Sequence, residues 1–313
     1  MKKSDIIYLV LGLYVLGIIS VFTLLIVKKP LVSQQQATPL GNMSAVSKDA
    51  IAIVEVVGPI RMSQSSGGFM NNDAGGIVKK LRELGKRQEI KAIVLRINSP
   101  GGSVAATQEI YYEIMKLRKE NKIIVASMVD VAASGGYYIA SACNKIVADP
   151  GTLTGSIGVI LEIGNVEELF KKIGVKMEAI KSGKHKDSGS MFRSLTADER
   201  KMFQELIDTA YLQFVDAIVE GRKMDRQKVL DLADGRVFIG TQALNLGLID
   251  KIGNDQTAIQ IAKELSGIKG EPKIISDTDK WERLLSMFTN VESKMPFADI
   301  VTKNKVRFEY MLE

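Results

Sequence analysis

Short apolar runs alternate with amphipathic stretches along the middle of this chain, and that alternation limits the possible fold more than any other feature. The stretches with helical spacing cover residues 77–84, 107–118, 137–143 and 166–173. The apolar runs, typical of buried strands, cover residues 51–57, 90–97, 123–128, 145–148, 157–163 and 175–180. Strands this apolar, separated by helices, predict an α/β domain with a mainly parallel sheet covered by helices on both faces.

A second helical region follows this pattern. Thr196 and Glu199 have the spacing of a capping box, and apolar residues at helical spacing then predict a long helix that runs to about Gly221. Residues 235–265 indicate a strand, a helix, a strand and a helix in that order. After Ser276 the pattern weakens, although residues 278–288 are compatible with one more helix and the tail to Glu313 is apolar enough to dock on another surface.

The N-terminal region is organised differently from the rest of the chain. Residues 6–27 are 22 consecutive uncharged and mostly apolar residues, which as a helix would span about 33 Å and so cross a bilayer. Two lysines and Pro30 follow directly, so we expect an uncleaved anchor rather than a signal peptide. Lysines on both sides leave the orientation open. Residues 30–48 are polar and aperiodic, which predicts a flexible linker.

Composition excludes several kinds of function. The net charge is +6, but half of this excess comes from four lysines and one aspartate in the first 30 residues, so no charge field indicates nucleic-acid binding. Cys143 is the single cysteine, which excludes an internal disulfide and a multi-cysteine metal site. Its apolar neighbours predict a buried, unreactive thiol.

One turn in the predicted sheet has the features of a nucleophile site. Ser134 lies between the apolar run 123–128 and the helical stretch 137–143, and two glycines follow it. Such a strand-to-helix turn presents a hydroxyl together with free backbone N–H groups. Ser-Gly-Gly is also common in ordinary turns, so the motif alone does not establish catalysis.

Two further glycine-containing turns also carry candidate site residues. Asn98 to Ser103 follows the strand 90–97, and because the carboxyl ends of parallel strands share one edge, this turn and Ser134 should face one cleft. Gly101 and Gly102 would leave backbone N–H groups uncovered for an oxyanion hole. Ser156, in the third turn, would orient a catalytic partner or satisfy local backbone.

A serine nucleophile needs a base, and the sequence offers two kinds. A histidine triad could use only His185, the single histidine, while a lysine base is the competing choice. Both lie in the charged stretch Lys181 to Asp187. A lysine acts as a base near neutral pH only if burial or a nearby cation lowers its pKa from about 10.4, so such a lysine would have to enter the cleft.

Five motifs, taken together and in this order, resemble the signal peptide peptidase A family of membrane-anchored bacterial serine proteases. The resemblance extends over residues 51–265, which is most of the predicted domain. It implies a fold like that of the Clp protease and crotonase superfamily, with a Ser/Lys dyad in place of a triad. The motifs are residues 98–102, 132–138, 153–159, 181–187 and 233–238.

The resemblance also implies a role for individual residues. Ser134 matches the nucleophile of the family and Lys186 matches its base. Ser156 matches the serine that orients this lysine. Gly102 matches the backbone oxyanion donor, and the N–H of Gly135 is a second donor. His185 then becomes a neighbour in the lysine motif rather than a base.

The same resemblance implies how the protein is organised. It predicts an anchor with its flanks at residues 1–29, a linker at 30–48, a catalytic domain at 49–276 and an extension at 277–313. We expect a single-pass protein of the cell membrane, held in the bilayer by residues 6–27, with its catalytic domain outside the cytoplasm. The short, single-copy form implies a homo-oligomer whose active sites are completed between subunits. Remnant signal peptides and other apolar peptides are the expected substrates. We expect the protein to need no cofactor or metal and to bind no nucleic acid.

Three other functions remain open at this point. A sister Ser/Lys protease that acts on stomatin-like or other periplasmic proteins would share the same chemistry. A crotonase-like acyl-CoA enzyme would use a similar oxyanion hole but would need no nucleophilic serine and no anchor. An inactive membrane scaffold is disfavoured because both residues of the dyad are present.

Overall fold

The computed structural model describes residues 46–62, 73–276 and 307–311. In this part of the chain the strands form two sheets. The strands are β1 (Val46–Val57), β2 (Ile90–Ser99), β3 (Gly101–Ser103), β4 (Ile123–Ala133), β5 (Lys145–Ala148), β6 (Leu153–Gly155), β7 (Ile160–Glu162), β8 (Val237–Ile239), β9 (Lys251–Ile252), β10 (Glu271–Ser276) and β11 (Arg307–Met311).

The larger sheet confirms the predicted α/β architecture. Its strands run in the order β10-β1-β2-β4-β5-β9, and each neighbouring pair is parallel. Strand β6 pairs in parallel with the end of β4 and continues, antiparallel, to β8. The smaller sheet is antiparallel and has the order β3-β11-β7.

Helices cover both faces of the larger sheet, as predicted. Ala258 and Ala262 of the last described helix pack on one face, while Ile77 and Ile110 from two earlier helices belong to the larger core on the other. Burial of this much apolar surface is the main source of the fold's stability. The described helices are α1 (Ala74–Lys86), α2 (Val104–Lys119), α3 (Gly135–Ser141), α4 (Glu167–Lys172), α5 (Ala197–Arg222), α6 (Arg226–Leu232), α7 (Gly240–Leu246) and α8 (Asp255–Ser266).

The long helix α5 begins at its predicted capping box. The Thr196 side chain accepts a hydrogen bond from the Glu199 backbone N–H, and the Glu199 carboxylate accepts one from the Thr196 N–H.

Cys143 is fully buried, and this burial raises the pKa of its thiol to about 12. The prediction of a buried thiol is therefore confirmed, and the raised pKa disfavours the reactive thiolate.

Two strand predictions are wrong. Of the predicted strand 157–163 only β7 exists, and residues 175–180 form no strand. The apolar alternation in the second segment does not reflect burial, because Val175, Met177 and Ile180 are all exposed and no strand among the described residues pairs with them. Apolar residues at strand spacing predict a strand only where a sheet edge is available to bury them.

Several predicted elements lie outside the described residues. They are the anchor at 6–27, most of the linker at 30–48 and the further helix at 278–288. Within the described ranges, none of the helices combines the length and the hydropathy needed to cross a bilayer.

Candidate active site

Ser134 occupies a sharp turn between β4 and α3. Its backbone has φ 52° and ψ −117°. A positive φ is a conformation that residues other than glycine rarely adopt. Such a conformation costs about 1–3 kcal/mol and persists only where the surrounding structure enforces it. The arrangement is that of a nucleophile elbow, in which a serine at a strained strand-to-helix turn presents its hydroxyl at the edge of a sheet.

Backbone hydrogen bonds hold the elbow in place. The Ser134 N–H donates to the Gly155 carbonyl at 2.8 Å, and the Ser134 carbonyl accepts from the Tyr138 N–H at 2.8 Å. The residue is 1% exposed, and its Oγ is buried without a hydrogen-bond partner among the described residues. A buried hydroxyl without a partner is costly, and it is therefore a candidate for function.

The glycines after Ser134 allow the two predicted turns to meet. A Cβ on Gly136 would lie 2.7 Å from the Ser99 carbonyl oxygen, and a Cβ on Gly135 would lie 3.2 Å from the Gly102 nitrogen. Either side chain would push the turns apart. The start of α3 and the turn at Gly101 and Gly102 therefore line the same edge of the sheet.

The Gly102 backbone lies against the backbone of Ile60. Its own missing Cβ would lie 2.1 Å from the Ile60 carbonyl oxygen, and this oxygen accepts a hydrogen bond from the Ser103 N–H at 2.9 Å. Only glycine fits there. The backbone that the sequence assigns to the oxyanion hole is thus fixed by contacts on both sides.

Ser156 lies beside the elbow. It follows β6, whose Gly155 pairs with Ala133 at the end of β4, and its N–H donates to the Arg236 carbonyl at 2.8 Å. Its side chain lines a groove of about 490 Å³ between residues 156–160, α5 and the loop 233–235. Acidic side chains, Asp208 and Asp234, stand on the wall of this groove.

Lys186 and His185 occupy a different environment from Ser134. Both are exposed in the single chain, and the His185 ring lies 3.7 Å from the Asp198 carboxylate, so it faces the first turn of α5. The Ser134 hydroxyl bonds to neither of them. The fold of one chain therefore brings Ser134, Gly102, Gly135 and Ser156 to one edge, while the candidate base Lys186 is exposed and makes no bond to Ser134.

The loop that bears Lys186 is fixed by ion pairs. Arg193 bonds both Asp187 and the capping-box residue Glu199, while Lys181 also pairs with Asp187. The Arg193 guanidinium holds the pKa of the Asp187 and Glu199 carboxyls well below their usual range. Both carboxylates are therefore charged at neutral pH.

Comparison with known proteins identifies the chemistry. A model described as peptidase family S49 matches residues 116–269, and one described as Clp protease matches residues 51–150. A Synechocystis sp. protein named "Putative protease" is 38% identical over 80% of this chain and 86% of its own length. The chain belongs to peptidase family S49, the signal peptide peptidase A family. It is a serine peptidase with a Clp protease-like α/β fold.

Two other relatives agree with this assignment to the S49 family. An Enterococcus faecium protein named "Putative signal peptide peptidase SppA" is 39% identical over 59% of this chain and 54% of its own length. The chloroplast serine protease SPPA of Arabidopsis thaliana is 39% identical over 72% of this chain. This chain spans about a third of the plant protein, because the match covers 34% of that length.

The S49 site contains one extended segment that the sequence did not predict. Strand β11, from the tail of the chain, pairs antiparallel with β3, so that Tyr310 lies opposite Gly102 and Met311 opposite Gly101. The same strand pairs with β7 on its other side. An extended peptide backbone therefore fits between β3 and β7, directly along the glycine turn.

Sequence reasoning also missed Thr107 in this S49 site. Its Oγ1 is buried without a hydrogen-bond partner among the described residues, and a Cβ on Gly135 would lie 2.8 Å from it. Only a hydroxyl in the first turn of the helix after the Gly101–Gly102 turn marked it in the sequence, and that signal is common.

Proposed function

We propose that this S49 peptidase digests cleaved signal peptides and other apolar peptides with a Ser134/Lys186 dyad, through an acyl-enzyme. The observation that carries the proposal is the Ser134 elbow. Its buried Oγ has no hydrogen-bond partner among the described residues, and the two glycines that follow it pack against the turn from Ser99 to Gly102. A protein meets the cost of an unpaired hydroxyl in a strained turn where that hydroxyl is needed for chemistry.

The mechanism follows from the chemistry of these groups. Neutral Lys186 removes the proton from the Ser134 hydroxyl as Oγ attacks the peptide carbonyl carbon. The developing oxyanion is stabilised by the N–H groups of Gly102 and Gly135. Protonated Lys186 then gives the proton to the leaving amine. Water, deprotonated by the same lysine, attacks the acyl-enzyme ester, and Lys186 returns this proton to the departing Ser134 Oγ. Ser156 orients the lysine.

The position of β11 supports an extended peptide as the substrate. A strand seated between β3 and β7 offers its backbone to both edges, so a substrate can be held by main-chain hydrogen bonds regardless of its sequence. The name of the Enterococcus faecium relative supports signal peptides as the substrate class. Their apolar character matches the expected anchoring of this protein in the cell membrane by residues 6–27, with the catalytic domain outside the cytoplasm.

Exposure of Lys186 supports a dyad that is completed between subunits. A lysine is a useful base near neutral pH when burial favours its neutral form, and contact with a second subunit would supply this burial. The segment before the loop carries exposed apolar side chains suited to such a contact, namely Leu169, Ile173, Val175, Met177 and Ile180. We therefore propose a homo-oligomer.

Labelling and hydrolysis test the proposal together. With the full-length protein, a fluorophosphonate should label Ser134, and an apolar peptide of signal-peptide composition should be hydrolysed. Ser134→Ala should lower kcat/KM by about 10⁶-fold, and Lys186→Ala should have a similar effect. Ser156→Ala should only weaken hydrolysis. Labelling at a serine other than Ser134, or unchanged hydrolysis by Ser134→Ala, would exclude this assignment.

A further inference from the structure

Arg193 is the centre of the ion-pair network next to Lys186. Its Nε and Nη2 donate to the two Asp187 carboxylate oxygens, each at 2.9 Å. Its Nη1 and Nη2 donate to the two Glu199 oxygens at 2.9 and 2.6 Å. One planar guanidinium therefore makes a bidentate contact with each of two carboxylates, an arrangement that only arginine can provide.

Glu199 ties the same network to the first turn of α5. Its carboxylate accepts hydrogen bonds from the Ser188 hydroxyl at 2.8 Å and from the Thr196 backbone N–H at 2.9 Å. The side chain is 3% exposed, so it is shielded from competing water. The capping box thus serves two purposes: it starts the helix and it anchors the loop.

Lys186 is followed in the sequence by the two loop residues that this network holds, Asp187 and Ser188. Asp187 is bonded by Arg193 and Lys181, and Ser188 is bonded by Glu199. Within the loop, the Lys186 N–H donates to the Gly183 carbonyl at 3.2 Å. The Lys186 backbone is therefore fixed while its side chain stays exposed.

We propose that Arg193 is a positioning residue that holds Lys186 in its working orientation by joining Asp187 to Glu199. The proposal rests on the proposed role of Lys186 as the base. Asp187 and Glu199 lie in the same chain as Arg193, so this network can order the loop without a second subunit. An ordered lysine loses less conformational entropy when it meets Ser134 than a mobile one does.

Two substitutions separate the charge of Arg193 from its geometry. Arg193→Met removes the guanidinium but keeps a long side chain, and Arg193→Lys keeps the positive charge without the planar geometry. We expect kcat of Arg193→Met on an apolar peptide to fall by about 10- to 100-fold, because small misplacements of a reacting group have effects of this size. KM should stay within about twofold, since the substrate peptide is proposed to bind along β3 and β7 and not to the Lys186 loop. Arg193→Lys should recover only part of the loss, because an ammonium cannot bind both carboxylates bidentately.

Limited trypsin digestion of the full-length protein gives a readout that does not depend on catalysis. Cleavage after Lys181, Lys184 and Lys186 should become faster in Arg193→Met, while cleavage at other sites changes little. Arg226→Met is the matched control, because it breaks the Arg226–Asp216 pair near the opposite end of α5 and should leave kcat and cleavage unchanged.

The outcomes separate this inference from the proposed function. If Lys186→Ala is inactive but Arg193→Met keeps kcat within twofold of the unmodified protein, the positioning role is wrong and the dyad stands. Full recovery by Arg193→Lys would also contradict it, because charge alone would then suffice. If Arg193→Met does not fold, Glu199→Gln, which preserves a capping box, should still lower kcat and speed loop cleavage. If Lys186→Ala remains active, the proposed function fails first.

Discussion

The Ser134 elbow and the Lys186 loop are built by different physical means. The elbow is buried, its backbone is bonded to Gly155 and Tyr138, and its glycines touch neighbouring backbone. The loop is exposed and is held by ionic side chains around Arg193. One part of the proposed dyad therefore depends on close packing, and the other depends on charge.

This difference predicts how each half responds to change. Backbone packing tolerates almost no added volume but is insensitive to pH and salt. An ion-pair network tolerates changes of shape but requires its charges, and salt screens the more exposed pairs. The packed half presents the proposed nucleophile, while the charged half carries the proposed base on an exposed loop.

Among the tests of this contrast between the two halves, adding one methyl group to the packed half should have the largest effect. In Gly102→Ala, the new Cβ would lie 2.1 Å from the Ile60 carbonyl oxygen, so the turn must move and the oxyanion donor with it. We expect kcat/KM for an apolar peptide to fall by about 100-fold or more, as for loss of an oxyanion donor. Overpacking should also lower the free energy of unfolding by about 1–3 kcal/mol, measured by urea denaturation.

Gly151→Ala is the matched control for this substitution. Nothing lies within 4 Å of a Cβ at Gly151, so activity and unfolding should both stay close to those of the unmodified protein. Equal losses in the two variants would show that the turn at Gly102 is not specially constrained.

A smaller effect, a partial recovery, tests whether the two halves come from different subunits. Ser134→Ala and Lys186→Ala chains, dissociated and reassembled together at equal amounts, should form hybrid sites that contain both residues. If neighbouring subunits contribute one residue each, about a quarter of the sites would be complete by random assembly. Peptide hydrolysis should then return from near zero to about a quarter of the unmodified rate.

Absence of any recovery in a mixed assembly of confirmed size would place both residues in one chain. The control is each variant reassembled alone, which should stay inactive. The Lys186 loop would then have to fold back onto Ser134 of its own chain. The two halves would then differ only in how they are stabilised, by packing or by ion pairs.

The smallest effect concerns pH and the charged half. Asp and Glu have pKa values of about 3.9 and 4.3 in an unfolded chain, whereas Arg193 holds the pKa of Asp187 and Glu199 lower in the folded one. A depressed folded-state pKa stabilises the protein above the unfolded pKa, and this stabilisation is lost as pH falls through the folded pKa. The difference in free energy of unfolding between the unmodified protein and Arg193→Met should therefore be constant from pH 8 to about 5 and shrink below about pH 4.

Urea denaturation at a series of pH values measures this difference. Arg226→Met should show a much smaller difference at each pH, because exposed pairs contribute little. A difference that increased on acidification, or that disappeared already near pH 6, would show that the two carboxylates do not carry the effect of Arg193.

The packed half was largely predictable from sequence. Ser134 followed by two glycines, after a buried strand, predicted the turn, and parallel strand order predicted that Gly101 and Gly102 would meet it. These signals are local or follow from one rule about sheets. Glycine was informative because only glycine fits where two backbones approach this closely.

The charged half and the tail were less predictable. Glu199 was recognised as a capping residue, but its second partner, Arg193, follows no fixed spacing that would show it in a sequence. Residues 175–180 looked like a strand although nothing buries them, and β11 pairs with β3 across more than half of the chain. Pairings between distant segments depend on the completed fold, so a local pattern does not contain them.

Hydrolysis of an apolar peptide by Lys186→Ala and His185→Ala, compared side by side, tests the central claim most directly. The account predicts that Lys186→Ala is inactive and that His185→Ala keeps its kcat/KM within a few-fold of the unmodified protein, since His185 faces Asp198. Full activity in Lys186→Ala together with loss in His185→Ala would contradict the Ser/Lys dyad and would establish a histidine as the base.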